Sequence, residues 1–244
     1  MNKCIADLLS FLNGSPTAYQ ANQQIKSRLD AAGFTELDEN LPFKLNPGGK
    51  YYLSRFDTAV VAFVIGSNAL PETGYGMAAS HIDSPLLKVK RQSIKIERNV
   101  CRIGTEIYGG PIISTWLDRE LSIAGRVVVK HGEGEYSSHS IDLKRPVAII
   151  PNAAIHMNRE INKGFEYNAQ THLQAILSTD SLAGNPLLSA LAEELQLSPE
   201  QICDMDLFLY DPRPAELIGF GGDIICSGRL DNLAMTHAIL ASLL

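Results

Sequence analysis

The chain has 244 residues, 45% hydrophobic and 20% charged, with a formal net charge of −6. This is ordinary globular composition, long enough for one or two domains that need no disulfide or metal staple. The acidic balance and the lack of a Lys/Arg stripe argue against nucleic acid as a partner, and no apolar run reaches the ~18 residues of a membrane span.

Finer composition agrees with this. Lys88, Lys90 and Arg91 form only a short basic run and read as a solvated strand edge. Cys4, Cys101, Cys203 and Cys226 make no CxxC pair, which disfavours a zinc ribbon and suits a reducing compartment. The N-terminus has no basic-then-apolar signal pattern. The expectation is a soluble, cytoplasmic protein with no membrane partner.

Residues 3–13 space Ile5, Leu8, Leu9 and Leu12 at helical intervals and stop at Gly14. Ser15-Pro16-Thr17 opens a second helix that ends at Gly33. Residues 50–65 predict two strands joined at Asp57-Thr58, the second wholly apolar and therefore buried. GYGMAASHID (74–83) predicts a third strand. From about residue 92 to 183 the pattern turns β-rich: KIERNVCRI, GGPIISTWL, SIAGRVVVKH, HSIDLKR and PVAII read as short strands with no helix between them. NPLLSALAEEL (185–195) is a helix, residues 198–201 start a short one, and MDLFLYD (205–211) is a strand. DIICSGR (223–229) then reads as a buried strand and LDNLAMTHAILASLL as a helix. The return to strand-then-helix predicts an α/β domain interrupted by an inserted domain of antiparallel strands or a small barrel. The last helix ends on Ala-Ser-Leu-Leu without a Gly cap or basic turn, which fits either a docked terminal helix or a sequence cut in mid-domain.

Chemistry concentrates at His81 and Asp83. Two residues apart on an extended chain, they face the same way. Neutral imidazole is a zinc ligand, and a carboxylate on its other nitrogen fixes the tautomer. A surface turn with a satisfied histidine and a capping Asp has the same pattern and is commoner. Asp231, between a strand and a helix, reads as an N-cap or as a carboxylate able to bridge two metal ions. His156 lies in the polar stretch IPNAAIHMNREINKGFEYN, which suggests binding weakly. His131 and His139 flank a Gly/Ser/Glu-rich loop and read as exposed bystanders; His172 and His237 sit in ordinary contexts. Arg119, Glu120 and Arg159 read as packing or interface ion pairs. No GxSxG, HExxH or P-loop occurs. From the residues alone the reading ends at a possible metal site in an α/β domain.

Four stretches together resemble one family, the M18 metallopeptidases or aspartyl aminopeptidases: SHIDSPLLKVK (80–90), YGGPIISTWLDRELSIAGRV (108–127), IPNAAIHMNREINKGFEYN (150–168) and SGRLDNLAMTHAIL (227–240). SPTAY (15–19) fits as well. The resemblance implies an α/β metallopeptidase domain, residues 1–92 and 223–244, interrupted by a β-rich dimerisation domain, residues 93–222. It implies hydrolysis of N-terminal Asp or Glu from peptides by two divalent metal ions, commonly zinc, in a homo-oligomer built from dimers. His81 then matches a metal ligand and Asp83 the carboxylate supporting it. Asp231 matches the bridging carboxylate, with a cis bond to Asn232. His156 matches a histidine that contacts substrate in a neighbouring subunit or binds metal.

The sequence departs from the family pattern in one respect. The expected general-base glutamate, its glutamate neighbour and the further ligands are absent, since residues 232–244 contain no Asp or Glu. The expectation is thus an incomplete metallopeptidase domain, a truncated chain that is inactive alone. Two alternatives remain: a noncatalytic assembly or regulatory subunit that retains the dimerisation domain, and a different hydrolase with an HxD metal site.

Overall fold

Asn2 opens helix α1 (Lys3–Asn13) by accepting the Cys4 N–H at 2.9 Å, one of the amides a helix start leaves unpaired. Thr17 does the same for α2 (Ala18–Ala31), accepting from Tyr19. Gly33, at φ +80°, ends the turn after α2. Strands β1 (Thr35–Glu36), β2 (Lys50–Arg55) and β3 (Ala59–Val64) make a three-stranded sheet in that order, β1 parallel and β3 antiparallel to β2. The β2–β3 turn is made by Phe56 and Asp57, both at positive φ, the conformation of a primed hairpin turn.

The computed structural model describes residues 2–68, 74–180 and 184–244 and divides the chain into two compact units. One is Met1–Ser84 with Pro214–Leu244; the other is Pro85–Arg213.

The second unit is built on one antiparallel sheet. Its strands are β4 (Leu86–Val89), β5 (Lys95–Glu97), β6 (Val100–Ile103), β7 (Thr105–Tyr108), β8 (Glu120–Gly132), β9 (Glu135–Asp142), β10 (Ala148–Ile149), β11 (Ala175–Ser178) and β12 (Ile202–Tyr210). They run β5-β6-β11-β10-β8-β12-β4-β7, with β9 on β8. Long β8 is the spine, pairing with β9, β10 and β12. Among the described residues of this stretch the α-helices are α3 (Ala169–His172) and α4 (Pro186–Leu195), the latter capped by Asn185. Leu87, Ile123, Val127, Leu191 and Leu207 are among the core residues, all below 2% exposed.

The chain then returns to the first unit. β13 (Glu216–Ile218) and β14 (Ile224–Cys226) form a two-stranded ribbon, and α5 (Leu230–Leu243) follows. The core of this unit joins Phe11, Leu12, Leu29 and Tyr52 to Leu233 and Leu240. Asn13, ending α1, holds Ala215 by both its side-chain oxygen and its amide.

Mixed α/β architecture is as expected; several local expectations are corrected. Residues 74–83 are not a strand: they have no ladder partner among the described residues, the chain bends at Ile82, and a strand exists only as part of a ladder. β3 is not buried, with Val61 56% exposed, because α2 and β2 do not cover both its faces. β14 is likewise exposed and, among the described residues, pairs with β13 alone. GGPIISTWL contains a 3-10 turn, Ile113–Trp116, instead of a strand. A helical turn, α3, does interrupt the β-rich stretch, whose last residues, 181–183, lie outside the described ones. Among the described residues the sheet is open, with β5 and β7 at its ends, and no ladder closes it into a barrel.

Candidate metal centre

His81 and Asp83 meet on either side of a bend at Ile82. His81 Nδ1 lies 3.1 Å from Asp83 Oδ1. The imidazole is largely exposed and the carboxylate less so. This contact engages Nδ1 and leaves Nε2 as the ring's outward donor.

The segment carrying them is fastened to the start of α5. The Thr236 hydroxyl donates to the His81 carbonyl, and Ser80 Oγ stands 3.1 Å from Thr236 Oγ1. A hydroxyl has one proton, so Ser80 is the donor in the second bond. Asn232 Nδ2 donates to the Asp83 carbonyl at 3.2 Å. Sequence reasoning missed Ser80, Asn232 and Thr236. Each binds main chain or another hydroxyl, and no spacing rule marks such contacts.

Asp231 is exposed and stands outside the helical conformation at φ −86°, ψ 106°. It is not the N-cap; Arg229 occupies that position without a side-chain cap. The Asp231–Asn232 peptide is cis, as the resemblance implies. Arg229 is 4% exposed and donates through Nε and Nη2 to the Leu12 carbonyl at the end of α1. Leu12, Arg229, Asn232 and Thr236 thus tie α1, α5 and the His81 segment into one unit, and Asp231 is presented within that frame.

Imidazole nitrogen and carboxylate oxygen are both donors that zinc accepts, so His81 and Asp231 suit such an ion by type. Among the described residues no three His, Cys, Asp or Glu side chains converge to hold a metal ion.

His156 belongs to the second unit and is exposed on a turn after β10, between Ile155 and Met157, the latter 82% exposed. The base of this loop is clamped: Asp118 accepts both the backbone N–H and the side-chain amide of Asn152 at 2.8 Å. Those two bonds hold the Asp118 carboxyl below the usual carboxylate range.

Several other charged side chains are paired within the fold. Arg119 pairs with Asp211 at 2.9 Å. Lys88 and Arg91 pair with Asp206 and Asp204 of β12, and Lys90 donates to Gln170 Oε1. His237 is buried and binds Asp7 at 2.7 Å.

A family model described as "Aminopeptidase I zinc metalloprotease (M18)" matches residues 11–244. The chain belongs to the M18 peptidase family. Curated M18 relatives include the probable M18 family aminopeptidase 2 of Ectopseudomonas mendocina (strain ymp), 40% identical over 98% of this chain and 57% of that protein. That of Clostridium novyi (strain NT) is 41% identical over 97% and 56%. The chain therefore spans little more than half the length of these M18 relatives. Among solved structures, one titled "Cryo-EM structure of the Ape4 and Nbr1 complex" aligns with TM-score 0.91 at 34% identity, covering 98% of this chain and 50% of that one. Chaetomium thermophilum mApe1 aligns with TM-score 0.88 at 29% identity, over 98% and 57%. The S. cerevesiae mApe1 dodecamer aligns with TM-score 0.74 at 26% identity, over 90% and 50%. Among the described residues no helix is long and apolar enough to cross a membrane.

Proposed function

We propose that this chain carries part of the catalytic centre of a zinc-dependent, cytoplasmic aminopeptidase that removes Asp or Glu from peptide N-termini. The observation that carries the reading is the fastening of the His81–Asp83 segment to the start of α5, beside Asp231, through Asn232 and Thr236. In this reading His81 and Asp231 would hold the zinc. Asp83 holds the His81 ring in the tautomer that offers Nε2. His156 contacts substrate, in a neighbouring subunit, or supplies a further metal donor. When bound, the metal pair supplies Lewis acidity that acidifies water and polarises the scissile carbonyl.

The β-rich second unit is proposed as the dimer-forming part of a homo-oligomer, in line with the dodecamer named for a structural relative. The general-base glutamate and remaining ligands implied by the resemblance are not among these 244 residues, so the 244 residues alone are expected to release no Asp. The protein containing the full ligand set is expected to hydrolyse Asp- and Glu-anilides faster than Leu-anilide, to lose that activity to a chelator, and to lose it in His81→Ala and Asp231→Asn. Chelator-sensitive release of Asp by the 244-residue chain would count against the division of ligands proposed here. Unchanged activity in both variants of the longer protein would remove the site assignment.

A second reading draws on the lack of a three-ligand cluster among the described residues. In it the chain is a noncatalytic assembly or regulatory subunit retaining the β-rich unit. An absence of anilide turnover by the longer protein, with oligomerisation intact, would favour it.

A further inference from the structure

His131, Ser137 and His139 share one face of the β8–β9 hairpin. Directly opposed residues of an antiparallel pair face the same way, and the register sets Val127 against His139 and Val129 against Ser137. Along β8 the alternation Val127, Val129, His131 continues that face. Val127 and Val129 are fully buried. Beyond them the apolar cover ends: His131 is exposed, and Ser137 and His139 are half-buried. The ladder shifts register between Lys130 and Gly132, an irregularity of the kind that re-aims a side chain.

As a result, His131 Nε2 and His139 Nε2 each lie 2.6 Å from the same atom, Ser137 Oγ. The two nitrogens can stand no further apart than twice that distance. The serine hydroxyl has one proton and can donate it to only one ring. The other ring must donate its own Nε2 proton to Oγ. One nitrogen lone pair therefore already points at the shared centre, and moving the other ring's proton to Nδ1 directs both there. Two neutral imidazoles aimed at one point between adjacent strands are a ligand arrangement for an ion bound at about 2.0–2.1 Å from each nitrogen.

We propose that His131 and His139 form a two-imidazole site for a borderline divalent transition ion, Cu2+, Ni2+ or Zn2+. It belongs to the second unit and is independent of the His81–Asp231 centre in the first. Imidazole suits these ions, and Cu2+ heads their affinity order. Each ring binds neutral, so loading releases any proton held at Nε2. The ion takes the place of the Ser137 bridge, with the hydroxyl as a weak third donor and water completing the shell. Bound there, it clips the ends of β8 and β9 together.

The test is Cu2+ titration of the 244-residue chain carrying His81→Ala, which removes the imidazole of the other centre. Electron paramagnetic resonance is expected to show hyperfine splitting from two imidazole nitrogens. Even an outer-sphere partner of a metal is worth about 10–100-fold in affinity. His131→Gln and His139→Gln are therefore each expected to weaken binding at least about tenfold and to remove the two-nitrogen pattern. Ser137→Ala is expected to keep the ion and the pattern. Circular dichroism checks that each variant retains its strands. Copper affinity unchanged by His139→Gln, or a pattern that survives the loss of both histidines, would overturn the site. Neither result bears on the aminopeptidase reading, whose assay is peptide hydrolysis.

Discussion

Asp83 touches the proposed metal ligand through Nδ1 of His81, at 3.1 Å, and its main-chain carbonyl is separately held by Asn232. Asp83→Asn keeps the shape and the main-chain bond but lets the side chain present an amide instead of a carboxylate. Zinc affinity is expected to fall about 10–100-fold with the fold intact, read by competition with a chromophoric chelator; unchanged affinity would detach Asp83 from the site. A different carboxylate governs stability. Asp7 is held below its ordinary value of 3.8, chiefly by its hydrogen bond to Arg28 and, against some desolvation, by that to buried His237. A carboxyl whose folded pKa is depressed stabilises the fold above the unfolded value and loses that contribution as pH falls through the folded one. Asp7 is about half exposed, so solvent screening limits the effect to about 1 kcal/mol or less. Asp7→Asn should therefore lower the melting temperature at neutral pH, and the difference from the parent should shrink as pH falls below 3.8. A gap that does not shrink at all as the pH is lowered further would mean packing, not charge, is what the substitution removes.

The β8–β12 pair leaves no room for a side chain at Gly125. Its φ is +148°, and an added Cβ would stand 2.2 Å from the Asp206 carbonyl oxygen and 2.9 Å from Leu207 Cα, both backbone atoms. Since neither can rotate away, Gly125→Ala is expected to cost about 3 kcal/mol or more. A lower denaturant midpoint at unchanged slope would report it; an unshifted midpoint would mean the two strands can separate freely there. This requirement was not visible in SIAGRVVVKH, where a glycine reads as an interruption and not as a contact point. Helices α1, α2, α4 and α5 were legible, because apolar spacing, Asn and Thr caps and a Pro at the first turn are local signals. The strand expected at 74–83 had suitable composition, but a ladder needs a neighbour, and no local signal supplies one. The nearness of His81 and Asp83 was legible from their spacing of two, but the bend at Ile82 between them was not. Phe56-Asp57 and Arg98-Asn99 both turn at positive φ without glycine, and so only the Asp and Asn hinted at the hairpins. The contacts framing Asp231 were hidden for a different reason: Asn232 and Thr236 bind carbonyls about 150 positions away in the chain.

The two units have separate cores. One unites Leu87, Val127, Leu191 and Leu209 with their neighbours, all within 85–213; the other unites Phe11, Leu29, Tyr52, Leu233 and Leu240, all outside that range. The second unit also opens and closes at one place. β4 starts just after Pro85, β12 ends just before Arg213, and the two are adjacent antiparallel strands, with Leu87 opposite Leu209. A segment whose ends emerge side by side, with its own core, can be taken out without cutting through packed side chains. The first unit lacks this property, because α5 must return from far along the chain to complete the core begun by α1 and α2. A fragment comprising residues 85–213 is therefore expected to fold alone, with strand-dominated circular dichroism and a single cooperative thermal transition. Sedimentation of the same fragment tests the proposed dimer role, since self-association should persist without the first unit. A fragment comprising residues 1–84 is expected to show no cooperative transition until residues 214–244 are supplied. If 85–213 melts without cooperativity while the whole chain melts as one, the cores depend on each other and the insertion view of the chain fails.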